Sequence, residues 1–167
     1  RALSLDVPCT PGMLAFRPDG KTLAVGVPLR PKGPVVSLVS LSDGSATEVR
    51  SPGKKPAAAA QRLAWSSDGR YLAIARADWG HVDVLDTGDG SVVRLLSEDE
   101  TRPLGGEKMD VPALLFEPGG PRLYVQRANP YDSDVGIFDV ATRRKVGAFA
   151  TAGYSVLLPF SRAARGL

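Results

Sequence analysis

His81 is the single histidine of the 167-residue chain, so any histidine-based general base, activated nucleophile or metal centre would have to be built around it. It closes the stretch "RADWGH", which also carries Arg76, Asp78 and Trp79. Aromatic and Arg side chains dominate binding hot spots, so the group reads as a recognition patch; in the alternative, Trp79 packs on adjacent structure and His81 leads into a strand. Ser155 in "GYSVL" is no nucleophile elbow, because no glycine follows the serine and no helix pattern continues. "YDSDVG" (131–136) gathers Tyr131, Asp132 and Asp134 but lacks the third acidic ligand and the distal glutamate of a calcium loop. It reads as turn chemistry, with Tyr131 and Asp132 as further candidates for a partner surface. Arg30, Lys32, Lys54 and Lys55 form a loose basic set that could touch phosphate. Nucleic-acid binders show a denser stripe with stacking aromatics, so the expectation is against nucleic acid. The candidate set is thus non-catalytic, with no metal and no cofactor expected.

These residues lie between segments that repeat. "LAFRPDGKTLAVG" (14–26), "LAWSSDGRYLAIA" (63–75) and "LLFEPGGPRLYVQ" (114–126) share an aromatic, a Gly-containing turn, a basic residue and an apolar run in one order. The second halves match as well, in "SLVSLSDGSATEV" (37–49), "VDVLDTGDGSVVRLL" (82–96) and "VGIFDVATRRKVGAF" (135–149). Phe16, Trp65 and Phe116 anchor the copies at spacings of 49 and 51 residues, and Phe160 follows 44 residues later. Self-similarity at this period, with strands inside each unit, is the signature of propeller blades.

Each unit reads as four short strands, a to d. Strand a ends at the aromatic (Met13 to Phe16, Arg62 to Trp65, Ala113 to Phe116), and Asp19-Gly20, Asp68-Gly69 and Gly119-Gly120 supply tight turns into strand b. The b runs are apolar on both faces, which suits strands sandwiched between neighbouring sheets. Strand c covers Val35 to Val39, Val82 to Asp86 and Val135 to Asp139; strand d covers Thr47 to Arg50, Val92 to Leu96 and Lys145 to Phe149. Asp19, Asp43, Asp68 and Asp89 are turn residues on this reading and not a catalytic carboxylate pair. The alanine run 57–60 reads as a loop entering strand a. The fold class is all-β: one incomplete propeller over 1–167, with blades at 13–50, 62–96 and 113–149 and part-blades at 1–5 and 156–167.

At "FRPDGKTLAVG", "WSSDGRYLAIA", "VLDTGDG" and "IFDVAT" the sequence resembles the WD40 family and its TolB-like and YVTN-type bacterial relatives. It departs from the eukaryotic pattern, because no unit has the Gly-His pair with a closing Trp-Asp. Asp86 and Asp139 stand at that Asp, preceded by Leu85 and Phe138, and the first unit has Ser40 there. The resemblance implies a divergent, bacterial-style propeller and leaves function open.

Composition bounds the rest. With 43% hydrophobic and 23% charged residues the chain belongs with soluble globular proteins, and no apolar run approaches the ~18–20 residues of a membrane span. Cys9 is alone and cannot form an internal disulfide. Residues 17–62 carry eight basic and three acidic side chains, while 97–112 carry five acidic and two basic; such asymmetry can orient a partner. The compartment, whether cytoplasmic, periplasmic or extracellular, stays unassigned.

Three blades do not close a ring, since propellers use about four to eight. The start lacks an initiator Met and reads as an excised end, so the expectation is a section of a larger propeller, with the remaining blades on another chain, or two copies meeting as a homodimer that completes a ring. The long b–c and d–a loops fall on one face, where rigid β scaffolds place function. The expected role is a non-catalytic platform for protein interaction or ligand sensing. The rivals are an accessory propeller of a prolyl-oligopeptidase-like hydrolase and a propeller holding a small ligand in its channel.

Overall fold

The computed structural model describes residues 13–27, 35–52, 59–77, 80–96, 110–129 and 133–151. They form twelve strands: β1 (Leu14–Phe16), β2 (Thr22–Gly26), β3 (Val36–Ser40), β4 (Ala46–Val49), β5 (Ala60–Trp65), β6 (Tyr71–Arg76), β7 (Val82–Asp86), β8 (Val92–Leu96), β9 (Asp110–Phe116), β10 (Arg122–Ala128), β11 (Ser133–Asp139) and β12 (Arg144–Ala150). Three antiparallel four-stranded sheets result, each in chain order: β1 to β4, β5 to β8 and β9 to β12. We call them blades 1, 2 and 3. The expected part-blades at 1–5 and 156–167 lie outside the described residues.

The register carries the repeat into space. Phe16 pairs with Leu23, Trp65 with Leu72 and Phe116 with Leu123, while the same second-strand residues pair onward with Val39, Leu85 and Phe138. Matching sequence positions therefore occupy matching sheet positions. Every residue of β6 is buried, because its two faces serve two cores. One face joins Leu72, Ile74 and Leu85 to Ala24, Val36 and Val49 of blade 1. The other joins Tyr71, Ala73 and Val84 to Phe116, Leu123 and Phe138 of blade 3.

Turn chemistry fixes the ends of the strands. Asp19, Asp43, Asp68, Asp89 and Asp139 each accept a backbone N–H two or three residues ahead, at 2.8–3.0 Å. Gly69 and Gly90 take φ of 70° and 73°, a region that bars most side chains. Three strands start two or three residues earlier than the sequence suggested. β5 begins at Ala60, inside the run read as a loop, and β9 begins at Asp110. Both continue past a register shift against the adjacent strand, between Ala60 and Arg62 and between Gln126 and Ala128. Such bulges absorb an extra residue and hide the strict alternation that marks a strand. β11 likewise opens at Ser133, two residues before the expected Val135.

Candidate interaction face and the polar junction beneath it

The b–c and d–a connections leave the sheets at one end, and a row of charge lies at the root of this end in blade 2. Arg76 of β6, Asp83 of β7 and Arg94 of β8 project from adjacent strands on the side facing blade 1. Alternation dictates this, since Leu72, Ile74 and Leu85, on the same side, pack into the core between blades 1 and 2. Asp83 is fully buried. Its Oδ1 takes a hydrogen bond from Arg94 Nε at 3.0 Å, and its Oδ2 lies 3.5 Å from an Arg76 terminal nitrogen. The Ser51 hydroxyl, just beyond β4 of blade 1, donates a short hydrogen bond to the same Oδ2. Arg94 also donates to the Pro52 carbonyl at 3.2 Å. The exit of blade 1 is thereby moored to the middle of blade 2.

Blade 3 repeats the idea one step along. Arg127 holds Asp134 through two hydrogen bonds, one at 2.7 Å from Nε to Oδ1 and a second, shorter one between Nη2 and Oδ2. Here the two residues are direct cross-strand partners, whereas Arg76 lies opposite His81, whose carbonyl accepts the Arg76 backbone N–H at 2.9 Å. Blade 1 carries Val27 and Ser37 at the positions of Arg76 and Asp83.

Of the residues singled out from sequence, Arg76 and His81 are brought together by this strand pairing, and both are buried. Asp78, Trp79, Arg30, Lys32, Lys54, Lys55, Tyr131 and Asp132 lie outside the described residues. Sequence reasoning missed Asp83, Arg94, Ser51 and the Arg127–Asp134 pair. One signal was available, since an arginine followed seven residues later by an aspartate occurs at both 76/83 and 127/134.

The opposite end of the sheets is stitched differently. Arg17 of blade 1 donates to the Gly69 carbonyl at 3.0 Å and lies over the Trp65 ring at 5.8 Å, within cation–π range. Trp65 Nε1 returns a hydrogen bond to the Ala15 carbonyl at 3.1 Å. The turn carboxylates here are held ionised. Asp43 is lowered to about 2, first by the Ser45 backbone N–H and then by the Ser40 and Ser45 hydroxyls. Asp68 is lowered by the Ser66 hydroxyl ahead of the Arg70 N–H, and Asp86 chiefly by the Arg70 guanidinium. Among the described residues no group of three His, Cys, Asp or Glu side chains could hold a metal ion, and no helix is long and apolar enough to cross a membrane.

No known family matches the sequence, and no curated protein does. Solved structures match the fold. The WD40 repeats of RRP9 align with 89% of this chain at a TM-score of 0.59 and 20% identity. TolB from Acinetobacter baumannii aligns with 83% at 0.58 and 18% identity. The three sheets are blades in order. The chain is a section of a β-propeller. Dihydro-heme d1 dehydrogenase NirN, in complex with DHE, is similar over 86% of this chain, at 0.58 and 21% identity. The chain spans 39% of the RRP9 chain, 32% of TolB and 28% of NirN. A propeller thus serves an enzyme as readily as a WD40 protein, and function has to be argued from the site.

Proposed function

We propose that this propeller section is a non-catalytic platform that takes a protein partner on the face of its b–c and d–a connections. The observation that carries this reading is the junction at the root of that face. Arg76, Asp83, Arg94 and Ser51 bind one another, so their charge is spent on holding blades 1 and 2 and the bases of two connections in fixed relation. A rigid frame under loops is what a recognition surface needs, because fixing loops beforehand lowers the entropy lost on binding. Arg76 and His81, on this reading, position the b–c loop of blade 2 from below, and Trp79 and Asp78 supply contacts. The further blades of a ring belong to the same reading. Phe16 of blade 1 is 65% exposed, whereas Phe116 at the matching position of blade 3 is 6% exposed under its neighbour, which favours a further blade against blade 1.

The test is Trp79→Ala, with partner capture by crosslinking and the melting temperature both recorded. Loss of the crosslinked partner with an unchanged melting temperature is the expected result. A fall in melting temperature with the partner retained would assign Trp79 to packing and overturn its place on the face.

A further inference from the structure

The c–d turns of the three blades match residue by residue. Ser40, Asp86 and Asp139 hold equivalent positions opposite Thr22, Tyr71 and Arg122, and the fourth residue after each takes left-handed backbone. Two of these residues are glycines, Gly44 at φ 78° and Gly90 at 73°; the third is Arg143, at 60°. Arg143 is the one non-glycine residue with positive φ among the described residues. Left-handed backbone crowds the Cβ of any residue other than glycine against the following carbonyl oxygen, and a local strain of this kind points toward use of the residue that bears it.

Arg143 stands at the mouth of a groove of about 330 Å³ between blades 2 and 3. Its apolar part is made by the half-buried Val93 and Leu95 of blade 2, over the buried Val84 of blade 2 and Val140 of blade 3. Of the other charged groups of the groove, Arg70 and Asp86 neutralise each other, while Asp89 is a turn carboxylate that keeps its charge. Arg70 holds Asp86 through contacts of 2.9 and 3.2 Å, and Asp89 accepts the Ser91 backbone N–H at 2.8 Å. Arg143 makes no hydrogen bond or ion pair with any described residue and acts on Asp86 and Asp89 only through its field. Arg144 and Lys145 follow it on the exposed start of β12, so this turn carries three cations beside the single carboxylate of Asp89. A sister groove of about 420 Å³ lies between blades 1 and 2, again with an apolar floor, but its turn carries Gly90. The sister groove has a guanidinium too, that of Arg50, but it is held by Glu48 at 2.8 Å, whereas that of Arg143 has no such carboxylate.

We propose that the groove between blades 2 and 3 binds a linear segment of a partner protein, setting an apolar side chain on the valine and leucine floor and a carboxylate on Arg143. The site is on the face opposite the b–c and d–a connections and does not depend on the role given to those. A bare anion would leave the apolar floor wet, and an apolar segment without acid would leave Arg143 unanswered.

Fluorescein-labelled peptides of three repeats each, Leu-Glu, Leu-Lys and Ser-Glu, titrated with the full chain by fluorescence anisotropy, test the site. The Leu-Glu peptide is expected to bind at least about tenfold more tightly than either of the others, a difference of about 1.4 kcal/mol. Arg143→Gly, which restores the residue of the sister turns, is expected to weaken Leu-Glu binding at least about tenfold while melting at the same temperature or higher. Equal binding by Arg143→Gly, equal binding of Ser-Glu, or no Leu-Glu binding at millimolar chain would each overturn the proposal.

Discussion

Asp83 shows how much one side chain can be asked to do. It is fully buried between Arg76, itself only 4% exposed, and Arg94, 29% exposed, and it ties both to Ser51 of the next blade. Breaking a buried pair strands the remaining charge, at a cost of about 3–5 kcal/mol. Asp83→Ala should therefore lose about that much in urea unfolding, while Arg94→Ala, which keeps the Arg76 partner and removes a part-solvated group, should lose about 1 kcal/mol. Equal losses from the two variants would mean that Asp83 is not the centre of the row. The arginine and aspartate of this row could be read from their recurring spacing, but Ser51 could not. It lies 32 positions from Asp83, and only the stacking of two separate sheets brings it there. Arg143 hid for a different reason: as a basic residue in a basic turn it resembles solvated surface, and its meaning rests on a backbone angle.

At the scale of strands and turns the sequence was far more legible, because turns and alternation are local. The aspartates read as turn residues do accept the backbone N–H groups that close the hairpins. Those hydrogen bonds favour the ionised form, which gives acid stability a definite sign. A carboxyl whose folded pKa is lowered contributes stability that is fully present above its unfolded pKa and drains away as pH falls through the folded one. With Asp43 lowered from 3.8 to about 2, and Asp68, Asp86, Asp89 and Asp139 lowered too, the melting temperature should fall between pH about 4 and 2. Asp43→Asn should flatten part of that fall, and a series of melts across this window checks it. A wild-type profile that is flat there would remove the turns from the account. The inner-strand starts were the illegible part: an extra residue between Ala60 and Arg62 on β5, and another between Asp110 and Ala113 on β9, break the alternation by which strands are recognised.

Across the whole molecule, one aromatic position is met in three environments. Phe116 is enclosed between blades 2 and 3, Trp65 is half-buried against blade 1, and Phe16 stands out from blade 1. The same truncation should thus have unequal effects: Phe116→Ala about 3–5 kcal/mol, Phe16→Ala within about 0.5 kcal/mol for the isolated chain. Comparable losses in both variants would show that Phe16 is covered in solution, and would point to a further blade against it. The junctions themselves are also unlike. Between blades 1 and 2 they use Ser51 with Asp83 and Trp65 with Ala15; between 2 and 3 they use the Ser67 hydroxyl with the Gly119 N–H and Arg62 with the Pro112 carbonyl at 3.0 Å. Genes of repeated units readily lose or reorder whole units by recombination, and a common rhythm makes such events look harmless. Here a deletion of the middle unit would set Gly136 in front of Ser51, where Asp83 now accepts its hydroxyl, and Phe116 where the Trp65 ring nitrogen now reaches Ala15. The units share a rhythm without being interchangeable, and their order is written into the seams.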